Sequence, residues 1–207
     1  MSETNPNARL EMFSDGVFAI ALTLLIVDIK IPSSANISTT AEFWLALRHL
    51  GPSIFAFLLS FVVILITWVN HHASLELIDK SSASFIYANG FLLLTVVFIP
   101  FPTALLGDYL STDHAAPAVV LYDSTLAFQA VAWIFLANVA LRTRLLKNAK
   151  AASIMRSSRK FGYFAFTGYS LCAIIATWYP LAIAILTTLI WIIWFIRGIS
   201  IKQEHVN

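Results

Sequence analysis

The chain has 207 residues, 59% of them hydrophobic and only 12% charged, with a mean hydropathy of +0.80 and a formal net charge of +2. A water-soluble domain of this length has no core large enough to hide that much apolar surface, so lipid is the expected solvent and a soluble enzyme is excluded. A single cysteine, Cys172, excludes an internal disulfide and argues against a metal site built on thiolates.

A spanning helix needs about 20 mainly apolar residues, and six such runs follow a short polar start at residues 1–10. They cover residues 13–27, 53–69, 87–106, 118–141, 161–179 and 181–196. The first run lacks a small-residue cleavage site after it and reads as a retained anchor rather than a removable signal peptide. Between the first two runs, Thr40 to Leu47 has the pattern of a short amphipathic helix at the outer surface, with Phe43 and Trp44 as interfacial anchors. A plain connecting loop fits that segment equally well. Pro100 and Pro102 fall inside the third run and predict a kink or early helix end, while Pro180 marks a tight turn between the last two. No linker separates a second unit, so residues 1–207 read as one domain.

Lysine and arginine collect in cytoplasmic loops and so set the orientation. Arg142, Arg144, Lys147, Lys150, Arg156, Arg159 and Lys160 lie in a basic loop over residues 142–160, between the fourth and fifth runs. With Arg9, Lys80, Arg197 and Lys202, eleven of the thirteen basic residues fall on one side of a six-span chain, and only Lys30 and Arg48 fall opposite. Both termini are therefore expected in the cytoplasm, with the basic loop against anionic headgroups of the lipid. Topology accounts for these charges, and no nucleic-acid partner is expected.

The first run carries Asp15 at its start. A carboxylate at membrane depth costs about 2.5–3.5 kcal/mol even on a lenient insertion scale, so Asp15 is expected to face protein, water or a cation. At about 100° per residue, Leu24, Val27 and Ile31 lie within roughly 40° of Ile20, and Thr23 lies roughly 60° to the side. Asp15 stands roughly 140° away from Ile20. The apolar stripe and the acid therefore serve different surfaces, and if the stripe lines something central, Asp15 is expected to be buried toward neighbouring helices. Gly16 lies near the stripe and permits close backbone approach.

Arg9 followed by Phe13-Ser14-Asp15-Gly16 and Val17-Phe-Ala-Ile-Ala-Leu-Thr resembles the opening of bacterial homologues of the endolysosomal potassium channel, the transmembrane protein 175 family. The resemblance extends to Trp68, to His71-His72 closing the second span, to Asn89 opening the third, and to Pro100-Phe101. It implies an all-α membrane protein with six transmembrane helices per chain, a homotetramer whose first helices line a central pore. It implies a potassium-preferring cation channel of the bacterial inner membrane, passing potassium and other monovalent cations. Carried over residue by residue, Ile20 is the narrowest hydrophobic constriction, with Leu24 and Val27 beyond it, and Thr23 is the hydroxyl position linked to potassium preference. Arg9, Phe13, Ser14, Asp15, Gly16, Trp68, His71 and Asn89 would form a structural network supporting the pore.

A secondary transporter or proton-coupled permease using Asp15 is the alternative reading, although no second FSDG-like segment or matched helix interruption supports it. His71 and His72 are adjacent and point about 100° apart on a helix, so they do not converge on one metal ion. Asp108, Asp113 and Asp123 read as acids near the outer side, either solvated or drawing cations toward a pore mouth. No nucleophile with base and orienter, phosphate-binding glycine loop or carboxylate pair is present in the sequence, so neither enzymatic activity nor a cofactor is expected.

Overall fold

The computed structural model describes residues 7–34 and 37–204, with side chains described as far as residue 193. The expected cytoplasmic placement of residues 1–6 and of the Arg197 and Lys202 side chains lies outside what is described. The fold is all-helical: α1 (Ala8–Leu24), a single 3-10 turn (Leu25–Asp28), α2 (Thr40–His49), α3 (Gly51–Glu76), α4 (Ala83–Phe98), α5 (Pro100–Tyr109), α6 (Ala115–Arg142), α7 (Ala149–Ala176) and α8 (Pro180–Glu204). Among the described residues, four stretches are long and apolar enough to cross a membrane, namely Ala8–Asp28, Thr40–Glu76, Ala83–Tyr109 and Ala115–Arg142.

Local chemistry explains the boundaries. Thr39 and Glu42 form a capping box at the start of α2, with Glu42 N donating to Thr39 Oγ1 (3.2 Å) and Thr39 N donating to Glu42 Oε2 (3.1 Å). The segment after the first span is thus a helix rather than a plain loop, and Phe43 and Trp44 on it are exposed. Pro100 has no N–H for the Val96 carbonyl, which instead accepts from Ile99 N at 3.1 Å in a tighter turn, and the third run breaks into α4 and α5. Pro180 opens α8 after a turn at residues 177–179, as its fixed φ favours at a first helical position.

Two boundaries differ from the sequence expectation. The stretch 142–160 is mostly helix: Asn148 Oδ1 accepts from Ala151 N at 2.9 Å and starts α7 there, so Lys150, Arg156, Arg159 and Lys160 ride on its first turns. Runs of charge pointed to a loop, but a good cap and helix-forming residues override that. The first run leaves α-helical geometry after Leu24, so Ile31 stands beyond the helix in non-helical backbone and not on its face.

The helices enclose two apolar clusters. One joins Phe18 and Ala21 of α1 and Leu25 of the 3-10 turn to Val63 and Ile64 of α3 and to Val96, Val119 and Leu126; the other joins Leu75, Phe85, Leu92, Leu136 and Met155. Large apolar side chains nonetheless stay exposed along the bundle, among them Phe164 at 76% and Trp178 at 68%, as a lipid-facing surface requires. At one end, Asp79 N donates to the Leu145 carbonyl (2.8 Å), Lys147 N to the Leu77 carbonyl (3.1 Å) and Asn7 Nδ2 to the Ile78 carbonyl (3.2 Å). That end gathers Lys80, Arg142, Arg144 and Lys147. Lys30 pairs with Asp108 at 2.7 Å on α5. The hydrogen bond from Lys30 to the Asp108 carboxylate holds the ammonium above its usual range, so the pair is complete at neutral pH and is lost only as pH rises through that raised value.

Close helix contacts depend on glycine at two places. A Cβ at Gly107 would lie 2.9 Å from the Ser53 Cα, and one at Gly162 would lie 2.7 Å from Ile134 Cγ1. The Ser53 contact is with backbone, which cannot rotate away. Gly107→Ala is expected to separate α3 from α5 and destabilise the protein by about 1–3 kcal/mol, read as a lower melting temperature in detergent. Gly168→Ala, where an added Cβ meets nothing within 4 Å, is expected to leave the melting temperature unchanged or slightly raised.

Candidate ion pathway and the polar contacts that hold it

α1 has two opposed faces. Ser14, Phe18, Ala21 and Leu25 are buried and lie roughly 100° to 160° around the helix from Ile20. Ile20 (59% exposed), Leu24 (43%) and Val27 (71%) occupy the opposite side and are not members of either buried apolar cluster. Because Leu25–Asp28 form a 3-10 turn, where residues three apart eclipse, Val27 stands directly below Leu24 and the stripe is straighter than a continuous α-helix would make it. Thr23 flanks the stripe, exposed, with its hydroxyl donating to the Ile20 carbonyl at 2.9 Å. The hydroxyl oxygen keeps its lone pairs and can still accept.

A chain of hydrogen bonds holds the buried face. His71 Nε2 and Asn89 Oδ1 lie 2.6 Å apart, Asn89 Nδ2 donates to Ser14 Oγ at 3.0 Å, and Ser14 Oγ donates to the Leu10 carbonyl at 2.8 Å. Every donor has one direction in this arrangement. The Asn89 oxygen only accepts, so His71 carries its proton on Nε2 and presents a bare lone pair at Nδ1, which has no partner. His71, Asn89 and Ser14 are each at most 1% exposed, and the His71 ring packs against Phe18 (5.3 Å between centroids) and Trp133 (6.4 Å). Three helices, α1, α3 and α4, are tied by side chains that have no water to turn to.

Asp15 differs from expectation. It is exposed on the flank of α1, and its Oδ1 accepts from Trp68 Nε1 of α3 at 2.8 Å. Its direction on the helix lies beyond the edge of the buried face, which explains how it reaches α3 without being enclosed. His72 lies 6.2 Å from the Trp68 ring and 3.6 Å from Glu76, away from the Ser14 bonds. Arg9 and Phe13 are exposed and take no part in these bonds; Phe13, at 63%, shares the side of the stripe. A Cβ at Gly16 would meet nothing within 4 Å, so no close backbone approach occurs there within the chain. The eight motif residues thus divide into a buried trio, a bonded pair of exposed Asp15 and half-buried Trp68, and three positions open to the outside.

Asp123 is a buried acid that the sequence reading placed near the outer side. It is 0% exposed inside α6 and accepts from Thr187 of α8 at 2.8 Å. Its position within the apolar run 118–141 is the signal that marks it. Among the described residues, no group of three or more His, Cys, Asp or Glu could hold a metal ion.

Asn89→Ala would leave His71 and Ser14 buried without their partner and is expected to cost about 1–3 kcal/mol. Asp15→Ala removes an exposed acceptor and is expected to cost less. Thermal unfolding of both variants in the same detergent checks the order, and a larger loss for Asp15→Ala would contradict this division of the motif.

Residues 9–100, which include the stripe and the buried trio, match the family model described as endosomal/lysosomal potassium channel TMEM175. A Chamaesiphon minutus protein named as a potassium channel is 45% identical over 150 residues, covering 72% of this chain and 69% of its own length. A Chryseobacterium protein likewise named is 32% identical over 189 residues, 89% of this chain and 92% of that protein. The crystal structure of a lysosomal potassium-selective channel TMEM175 homologue from Chamaesiphon minutus matches with a TM-score of 0.78 at 34% identity, over 94% of this chain and 98% of that one. This chain is a multi-pass membrane protein and belongs to the TMEM175 family of ion channels.

Proposed function

We propose that the chain is one subunit of a potassium-preferring cation channel, a homotetramer in which four copies of α1 surround a central pore. The observation that carries this reading is the exposure of Ile20, Leu24 and Val27 on the side of α1 opposite its packing face. Each chain would span the bilayer six times, through α1, α3, the kinked α4–α5 pair, α6, α7 and α8. The end bearing Lys80, Arg142, Arg144 and Lys147 would face the cytoplasm of a bacterial inner membrane, against anionic lipid. Open space around Gly16 would accommodate a neighbouring copy of α1.

The mechanism follows from the chemistry of the stripe. Four Ile20 side chains at one level exclude water when close, and a dewetted apolar ring is a barrier to a hydrated ion without any charge. Conduction requires the α1 helices to tilt or turn apart, and the Ser14–Asn89–His71 bonds restrict how they do so. Thr23, one turn from the constriction, offers hydroxyl oxygens that replace part of the hydration shell of a potassium ion. A ring of hydroxyls and no charged filter implies modest preference among monovalent cations.

Ile20→Asn is expected to raise potassium flux through liposomes of the purified protein; lowering the barrier by about 1.4 kcal/mol gives a tenfold rise. Unchanged flux would remove Ile20 from the role of constriction. Thr23→Val keeps the shape and removes the hydroxyl, and is expected to shift the reversal potential under unequal potassium and sodium toward no preference. A retained preference would place selectivity elsewhere.

A further inference from the structure

Asp123 lies eight residues into α6, about 12 Å from its start at 1.5 Å per residue, and is completely buried. Oδ1 accepts from Thr187, itself 1% exposed, while Oδ2 has no hydrogen-bond partner. No cation stands near it among the described side chains. On its own helix the neighbouring ionisable group is Tyr122, whose hydroxyl turns the other way to Ser60 of α3 at 3.0 Å. From α7 the ionisable groups bearing on it are Tyr169 and Cys172. The described side chains of α8, residues 180–193, include no ionisable group. On α4 and α5 the ionisable side chains are Tyr87, Asp108 and Tyr109; Tyr87 and Tyr109 are exposed and Asp108 is held by Lys30.

A carboxylate so enclosed, with one oxygen unpaired and no counter-charge, is the costliest arrangement of an acid in a membrane protein. A neutral carboxylic acid has no such cost. We propose that Asp123 is a proton-binding site, holding its proton in the folded protein, and that this bound proton is what allows α6 and α8 to pack directly on each other. With the proton on Oδ1, the acid donates to Thr187 Oγ1, and the Thr187 hydroxyl is free to donate to the carbonyl of Ile183 one turn back, a bond Thr188 already makes to Ala184 at 2.7 Å. Oδ2 then remains as a neutral carbonyl oxygen. Loss of the proton gives the site a charge that only water or a cation entering between α6 and α8 can satisfy. The site is separate from the α1 stripe and does not rest on the channel reading.

Infrared spectroscopy of the full-length wild-type protein in lipid tests this directly. At neutral pH it should contain the carbonyl stretch of a protonated carboxylic acid in a dry environment. The band should be missing in Asp123→Asn and shifted in frequency in Thr187→Val, which removes the hydrogen-bond partner but not the acid. No such band in the wild type, or a band that neither variant alters, overturns the proposal. Stability against pH gives a second reading. A proton held by the folded state and released on unfolding makes stability fall as pH rises between the two affinities, by a factor of ten in the folding equilibrium per pH unit. Asp123→Asn should lack that component. Equal pH slopes for wild type and variant would sink the idea, and if Asp123→Asn does not fold, the Thr187→Val band shift decides.

Discussion

α1 can be satisfied in one rotation only. Its single fully buried polar side chain, Ser14, takes a hydrogen bond from Asn89, which in turn accepts from His71, so α4 and α3 grip α1 through groups that have no access to water. In an apolar surrounding an unmade bond to such a group costs several kcal/mol. Turning α1 by one residue, about 100°, would break the chain of bonds and bring Ala21 and Phe18 away from their core contacts. The free side of α1, with Ile20, Leu24 and Val27, is therefore fixed by what happens on the opposite side. Those three residues need no inward partner of their own, and their exposure is a consequence of the grip.

The rest of the fold keeps that grip in register. Asn7, just ahead of α1, bonds to the Ile78 carbonyl in the turn between α3 and α4, and that turn is itself bridged to residues 145–147 ahead of α7. At the far end, Lys30 on the segment after α1 meets Asp108 near the end of α5. The break at Pro100 makes the second attachment possible, because α5 leaves the line of α4 and lies against α3, where Gly107 approaches the Ser53 backbone. Thr103 Oγ1 adds a second hydrogen bond, at 2.8 Å, to the Ile99 carbonyl that already accepts from Thr103 N at 3.1 Å, and its oxygen lies 2.6 Å from Ser60 Oγ. The kink leaves the Val96 carbonyl bonded, because Ile99 N takes the place of the N–H that Pro100 lacks, at 3.1 Å.

The apolar runs are legible because hydropathy records a solvent: all six fall largely in helical segments, and among the described residues four stretches are long and apolar enough to cross a membrane. Helical angle alone separated the stripe from Asp15. It could not tell which side of α1 would be buried, since Ile20 and Phe18 are equally apolar and only contacts with α3 and α4 distinguish them. Asp15 drew attention as the conspicuous acid, yet one position matters: Ser14, its neighbour, points into the protein and Asp15 stays at the edge. Asp123 was misplaced for a related reason. Its place inside the apolar run 118–141 points to burial, but its partner Thr187 is 64 residues away and no local pattern reveals it. The charges of residues 142–160 suggest a loop, whereas the Asn148 cap starts α7 within that stretch.

The two acids bear differently on transport. A proton-coupled permease built on Asp15 requires an acid at a central, enclosed site that changes partners during the cycle. Asp15 is open to the outside of the chain and bonded to a tryptophan that cannot take up or release a charge. Asp123 is enclosed, but it lies among α6, α7 and α8, away from the exposed stripe of α1. Neither acid is on the stripe, and in the channel reading this has a physical consequence. With no fixed charge at the constriction, the barrier there is the loss of water around the ion, and it falls with the width of the apolar ring rather than with the protonation of a side chain. In that reading, polarity at position 20 and the separation of the α1 helices would govern conduction, and the buried polar trio would set how far those helices move.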